Sequence, residues 1–181
     1  YNSKKSPRAI QVIGPAGEML YFSRLLPGGS RYGLKGARSF VDRTFNVIVG
    51  GTNLTAMQNF YHQKLGLRTY EPITFTIPML ADVCGESPQT PFTIQIAKIA
   101  GRRFIIELDQ YPSSVKARSV SKDELPPGMS MVSFNVKSLD DLELNWRSKP
   151  TTINASGYTS QRTAVAVGAA GEWIELIESN E

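Results

Sequence analysis

Two stretches that share one turn pattern constrain the fold of this chain more than any other feature. IGPAGEMLYFSRL occupies residues 13–25, and VGAAGEWIELIES recurs at 167–179. Both carry G-[PA]-A-G-E-[MW]-[LI] between β-rich runs. A glycine-bounded turn between short apolar segments is a hairpin signal. AIQVI (9–13) and MLYF (19–22) read as strands around the first turn. RTAVAVG (162–168) and EWIELIE (172–178) read as strands around the second. One hairpin written near each end points to a repeated unit. A chance GxxGE turn is the plain alternative.

The segment between them is organised as two units of the same order. TFNVIVG (44–50) is a β-branched strand, and TNLTAMQNFYHQKLGL (52–67) is a helix with Thr52 or Asn53 as N-cap and Gly66 as its stop. TYEPITFTIP (69–78) reads as a strand interrupted by prolines, and 79–91 as a loop. FTIQIAKI (92–99) and RRFIIELDQY (102–111) pair through Ala100-Gly101. After a linker at 112–128, MSMVSFNV (129–136) is a strand and SLDDLELNWRSK (138–149) a helix, with Ser138 as N-cap and Asp141 at the capping-box position. TTINASG (151–157) is a strand, and the second hairpin closes the unit. The expected division is therefore 1–43, 44–111, 112–128 and 129–181. In it, residues 9–25 are the tail of a preceding unit, and the Tyr1 start points to a trimmed chain.

Bulk properties narrow the class. The chain is 41% hydrophobic and 20% charged, as globular proteins are. No apolar run approaches a membrane span, and no secretory leader opens the sequence. Cys84 is the single cysteine, so an internal disulfide is excluded and a reducing, cytoplasmic setting is expected. Residues 1–43 hold eight lysines and arginines against Glu18 and Asp42. This basic excess reads as a solvated linker. No aromatic-plus-basic signature or helix-turn-helix pattern argues for nucleic acid.

NVIVGGTNLTAMQNFYHQKLGL (46–67), with Phe60-Tyr61 and Leu65-Gly66-Leu67, resembles the opening of modules in the vicinal oxygen chelate superfamily. That superfamily holds glyoxalase I, bleomycin-resistance proteins and extradiol dioxygenases. GAAGEWIELIE (168–178) resembles its closing strand. The resemblance implies an α+β fold of paired β-α-β-β-β modules, whose curved mixed sheets enclose a cavity. It also implies metal ligands at the start of the first strand and on the last strand of each module. Those positions are Asn46 and Glu107, then Met131 and Glu175. The family usually has His, Gln or Glu where Asn46 and Met131 stand.

Alternation places Arg103, Ile105, Glu107 and Asp109 on one face, and Trp173, Glu175 and Ile177 on another. His62 is the only histidine, so a two-histidine oxygenase site is excluded within one chain. His62 itself reads as a helix residue, and Cys84 as an inert thiol with no basic neighbour. Glu107 and Glu175 with an amide oxygen suit a hard ion such as Mg²⁺ or Mn²⁺, if any metal is held. Two functions from different classes follow. One is a metal-free binding protein taking a small molecule in the inter-module cavity, lined by Asn46, Arg103, Met131 and Trp173. The other is a glyoxalase-like lyase or isomerase using both carboxylates. There Glu175 is the base beside a carbonyl, and an ion or Arg103 holds the enolate oxygen. The orphan hairpin adds the expectation of a homodimer or further modules.

Overall fold

In the computed structural model, the structure describes residues 8–24, 36–101, 104–117, 121 and 124–179. β1 (Arg8–Ile13) and β2 (Met19–Arg24) form an antiparallel hairpin. The first unit follows as β3 (Asn46–Gly51), α1 (Leu54–Asn59) continued by a π-helical turn (Phe60–Lys64), β4 (Arg68–Thr69), β5 (Ile73–Thr76), α2 (Pro78–Cys84), β6 (Pro91–Lys98) and β7 (Ile105–Gln110). The second comprises β8 (Met131–Val136), β9 (Trp146–Ile153), β10 (Gln161–Val167) and β11 (Trp173–Glu178). Their sheets run β3-β7-β6-β4, with β5 also on β6, and β8-β11-β10-β9. In each, the first strand lies parallel to the last, β3 beside β7 and β8 beside β11. All other pairings are antiparallel.

The repeated motif builds the same turn twice. Gly14 N–H donates to Glu18 O at 2.8 Å, and Gly168 N–H to Glu172 O at 2.8 Å. The glutamate carboxylates accept from Ala16 N–H and Ala170 N–H, each at 2.9 Å. Gly17 and Gly171 take left-handed φ values of 77° and 79°, which a side chain disfavours. Both glycines and the glutamate of the motif thus have one shared structural cause.

α1 starts where its chemistry says. Asn53 Oδ1 accepts from Ala56 N–H at 2.9 Å, and Gly66 ends the helical segment with φ 69°. Met57 and Tyr61 point inward and are fully buried. They share one core with Ile106 and Leu108 of β7 and Ile174 and Leu176 of β11. Burying a side chain such as Met57 stabilises by about 1.5–3 kcal/mol. The helix also reaches the second unit directly: Tyr61 Oη donates to Glu172 Oε1 at 2.8 Å. A Cβ on Gly51 would stand 2.9 Å from Ala170 Cβ, so the β10–β11 turn presses on the end of β3.

Two local expectations are corrected. The stretch 138–149 is not a helix: it turns at 139–141, runs extended and enters β9. Its apolar residues Leu142, Leu144 and Trp146 alternate with exposed Glu143, Asn145 and Arg147, a strand period that outweighs the capping signal at Ser138. All three apolar residues pack on the common core, beside the fully buried Leu139. Phe60 and Lys64 from the end of the first unit's helix line a groove of about 290 Å³ with Leu144 and Val167. Pro150 is tolerated because β9 is an edge strand.

Conversely, residues 78–84 of the expected strand end and loop form α2. Pro78 occupies its first turn and Gly85 closes it with a left-handed φ of 69°. Leu80 and Ala81 bury against Phe92, with Tyr111 and Cys84 packed beside them. Among the described residues, no helix is long and apolar enough to cross a membrane.

Candidate functional site

Strand alternation decides what β7 can present. Ile106 and Leu108 enter the core, so Ile105, Glu107 and Asp109 line the opposite face. The parallel register sets Asn46 beside Ile105, Ile48 beside Glu107 and Gly50 beside Asp109. Asn46 Nδ2–H donates to Glu107 Oε2 at 3.0 Å. Burial raises the Glu107 pKa above its ordinary value, and the Asn46 hydrogen bond partly offsets that.

Asp109 has no such partner. It is 2% exposed, and its Oδ1 is buried without a hydrogen bond. Burial first, then the charge of Glu107, push its pKa up to about 8. Asn46 Oδ1 is a second buried acceptor without a donor. Native folds rarely leave such atoms unserved. Tyr111 lies over this face: a Cβ on Gly50 would run into its ring. Only glycine leaves room for that ring.

The N-terminal hairpin lies within electrostatic range of this face. Tyr21 of β2 feels Asp109, Glu107 and Cys84, and burial with these charges pushes its pKa to about 12. Gln11 Nε2–H donates to Tyr21 Oη at 3.0 Å. Tyr111 is raised further, by burial and then by Asp109, Tyr21, Cys84 and Glu107. The hairpin turn is tied to the inter-unit segment by Gly128 N–H donating to Ala16 O at 3.1 Å. When the two copies of the motif are superposed by sequence, Tyr21 falls on Glu175.

The second unit carries a separate polar face. Ile174 and Leu176 enter the common core, which leaves Trp173, Glu175 and Ile177 on the other side of β11. Met131 registers with Trp173 and Ser133 with Glu175. Ser133 Oγ and Tyr158 Oη both donate to Glu175, the latter at 2.9 Å. The Tyr158 pKa is raised by that hydrogen bond and by the Glu175 charge. The Arg147 guanidinium stacks 3.8 Å from the Trp173 ring centre.

Glu107 and Glu175 therefore project from the far faces of two sheets that share one core. A single cavity between the units, receiving both carboxylates, is not the arrangement these faces make. Each face pairs its glutamate with a different chemistry: Asn46, Asp109 and two tyrosines on one, Ser133 and Tyr158 on the other. Arg103, expected beside Glu107, lies outside the described residues. His62 is exposed on the helix, its Nδ1 paired with Leu67 O at 2.8 Å. Burial, then Glu86, raise the Cys84 thiol, as an unreactive cysteine requires.

The metal implied by the resemblance fits neither face. Of its four inherited positions, Asn46 turns an N–H toward Glu107, and Met131 offers a thioether that suits no hard ion. Both carboxylate oxygens of Glu175 already accept hydroxyl donors. No group of three or more His, Cys, Asp or Glu residues gathers among the described residues.

Asp109 was legible only as a neighbour of Glu107 on one strand face, and Ser133 as a neighbour of Glu175 across a parallel pair. Tyr21 had a sequence signal, its place in the repeated motif. Tyr158 had none.

No family model matches the chain, and no curated protein sequence does. Solved structures do. A glyoxalase family protein from Bacillus cereus superposes with a TM-score of 0.58 at 18% identity, covering 80% of this chain and 98% of its own. A variant of glyoxalase I from Zea mays reaches 0.60 at 15% identity; it covers 98% of this chain, which spans 56% of that enzyme. A glyoxalase/dioxygenase from Nostoc punctiforme reaches 0.53 at 15% identity, covering 88% of this chain and 99% of its own. With the parallel first-to-last strand pairing in both sheets, these likenesses establish that the chain has the fold of the glyoxalase, bleomycin-resistance and vicinal oxygen chelate superfamily.

Proposed function

We propose that this chain is a small-molecule-binding protein of the glyoxalase and bleomycin-resistance type with a degenerate metal site. Its ligand seats on the β3–β7 face beneath the N-terminal hairpin. Asp109 carries this reading. A 2% exposed carboxyl with an unserved oxygen costs folding free energy, and a ligand group reaching Oδ1 would recover part of it. The orphaned Asn46 Oδ1 supports the same face. Apolar Ile94 and Ile105, both buried, and the Tyr111 ring supply a dry wall of the kind that small-molecule sites use. The ligand is then a compact, mostly apolar molecule carrying one or two polar oxygens.

A metal-dependent lyase or isomerase needs Glu107 and Glu175 at one centre, and the two faces argue against it. Metal analysis of the purified protein, then calorimetric titration with Mn²⁺, Ni²⁺ and Zn²⁺, separates the two functions. The binding protein gives substoichiometric metal and no saturable uptake, yet binds 4-nitrophenol, a planar oxygen-bearing probe. Gly50→Ala, which displaces the Tyr111 ring, weakens that binding at least tenfold. One equivalent of metal, lost on Glu107→Gln or Glu175→Gln, would overturn the proposal.

A further inference from the structure

We propose that the N-terminal hairpin is a docking surface for the amphipathic helix of a further β-α-β-β-β unit. That helix lays its apolar stripe across Ile10, Val12, Leu20 and Phe22 and donates a tyrosine hydroxyl to Glu18.

The chain builds the same hairpin twice and covers one of them. Aligned on the repeated motif, Ile10, Val12, Leu20 and Phe22 fall on Ala164, Ala166, Ile174 and Leu176. The strand register agrees. Ile10 pairs with Phe22 as Ala164 does with Leu176, and Val12 with Leu20 as Ala166 does with Ile174. Each set of four therefore lines one face of its hairpin. In the second hairpin those residues are at most 1% exposed, and in the first they are 36–61% exposed. Met19, Tyr21 and Ser23 turn the other way and are half-buried, so the rest of the molecule lies on the opposite side. The strand neighbours differ as well. β10 and β11 lie between β9 and β8, whereas β1 and β2 form a sheet of their own among the described residues. A two-stranded hairpin alone is marginal in water, and an exposed apolar face marks a binding surface.

The second hairpin shows what covers such a face. Ala164, Ile174 and Leu176 share one core with Met57 and Tyr61, which stand four residues apart on the helical segment of the other unit. Tyr61 Oη reaches the turn, where Glu172 Oε1 accepts it at 2.8 Å while Oε2 holds Ala170 N–H at 2.9 Å. The first turn repeats half of this arrangement. Glu18 Oε2 holds Ala16 N–H at 2.9 Å, and Glu18 Oε1 takes no hydroxyl among the described residues.

The occupant is thus a helix with an apolar residue and a tyrosine four positions apart, the tyrosine toward the turn. It docks as amphipathic helices do in apolar grooves. A second copy of this chain does not offer one. Its Met57 and Tyr61 are fully buried in their own molecule, and the exposed pair on α2, Met79 and Val83, has no hydroxyl.

Fluorescence anisotropy of a labelled peptide is the test. The peptide is residues 52–67 with Thr55→Glu and Asn59→Lys joined as a lactam, because so short a helix is marginal in water. Both substituted positions are exposed in the protein. Wild type binds this peptide saturably. Phe22→Asp weakens binding at least tenfold while the thermal midpoint holds, since a charge is then forced against the apolar stripe. Ile10→Asp serves where Phe22→Asp does not fold. Tyr61→Phe in the peptide weakens binding about fivefold or more by removing the donor to Glu18. Absence of saturable binding, or equal binding by wild type and the aspartate variant, overturns the proposal. Equal binding of the Tyr61→Phe peptide overturns the Glu18 contact. Sedimentation runs in parallel: a wild-type dimer that the aspartate variant dissociates, with no peptide bound, makes a second copy the occupant and overturns the helix.

Discussion

Replacing Asp109 with asparagine should make the protein more stable, by an amount that grows with pH. The substitution keeps the size of the side chain and removes its ability to ionise. In the unfolded chain the carboxyl titrates near 3.8, and in the fold near 8. Below about pH 4 it is protonated in both states and costs nothing extra. Between those values the unfolded chain releases the proton and the folded chain retains it. Stability therefore falls by about 1.4 kcal/mol per pH unit across that window. Above the folded value both states are ionised and the penalty levels off. The cost reaches about 2 kcal/mol at pH 5, about 4 at pH 7 and nearly 6 at pH 9. Against a typical total of about 5–15 kcal/mol, this is a large internal strain.

Urea unfolding of wild type and Asp109→Asn at pH 5, 7 and 9 measures the difference from the midpoint and slope. The gap should widen from pH 5 to pH 7, and again to pH 9. Equal gaps at pH 5 and pH 9, within about 0.5 kcal/mol, would show that the carboxylate is solvated or paired, and the reasoning built on its isolation would fail. Stabilisation on losing an ionisable group is also what a functional site predicts, since such sites hold strain that the fold alone does not need.

Leu139→Ala should cost about 2–5 kcal/mol by thermal unfolding, because this residue is fully buried in a segment that is neither helix nor strand; a loss under 1 kcal/mol would detach 138–149 from the core. Tyr61→Phe removes the 2.8 Å donation to Glu172 and should cost about 1 kcal/mol in urea, with no change in helix content by circular dichroism. On Glu175→Gln, the Tyr158 phenol loses the negative charge that helps raise it, while the amide oxygen can still accept its hydrogen bond, so it should titrate lower, followed by ultraviolet absorbance of the tyrosinates. An unmoved Tyr158 titration would place its hydroxyl away from residue 175.

Much of the fold is legible because its causes are local. The G-[PA]-A-G-E turns need only a left-handed glycine and a glutamate whose carboxylate reaches back to one backbone N–H, that of Ala16 or Ala170. α1 needs Asn53 before it and Gly66 after it. β6 and β7 pair antiparallel as expected, but Lys98 stands opposite Ile105, so their connection is longer than the two-residue reversal expected at Ala100-Gly101. Where two local signals disagreed, sequence reasoning followed the wrong one. At 138–149 a capping residue spoke for helix, and the alternation of Leu142, Leu144 and Trp146 spoke for extended chain. Burial of those three residues on the common core favours the extended form, because a helix would turn one of them to solvent. α2 carried Pro78 and Gly85 at its ends, but seven residues with only Leu80 and Ala81 buried show too little periodicity to be seen in isolation.

The site divides along the same line. The amino-acid sequence by itself determined that Glu107 shares a strand face with Asp109 and that Glu175 shares one with Trp173, which follows from the period of a strand. Its resemblance to vicinal oxygen chelate modules marked Asn46 and Met131 as departures from the ligands usual at those positions. Only the tertiary structure decided that Ile106 and Leu108 meet the same core as Ile174 and Leu176, which turns the two glutamates to different faces. It alone brought Tyr21 within electrostatic range of Asp109 and left Asp109 Oδ1 without a donor. The reason is physical: alternation sets direction relative to a strand, but which side is buried, and whether a carboxyl has a partner there, depends on chain segments far away in sequence.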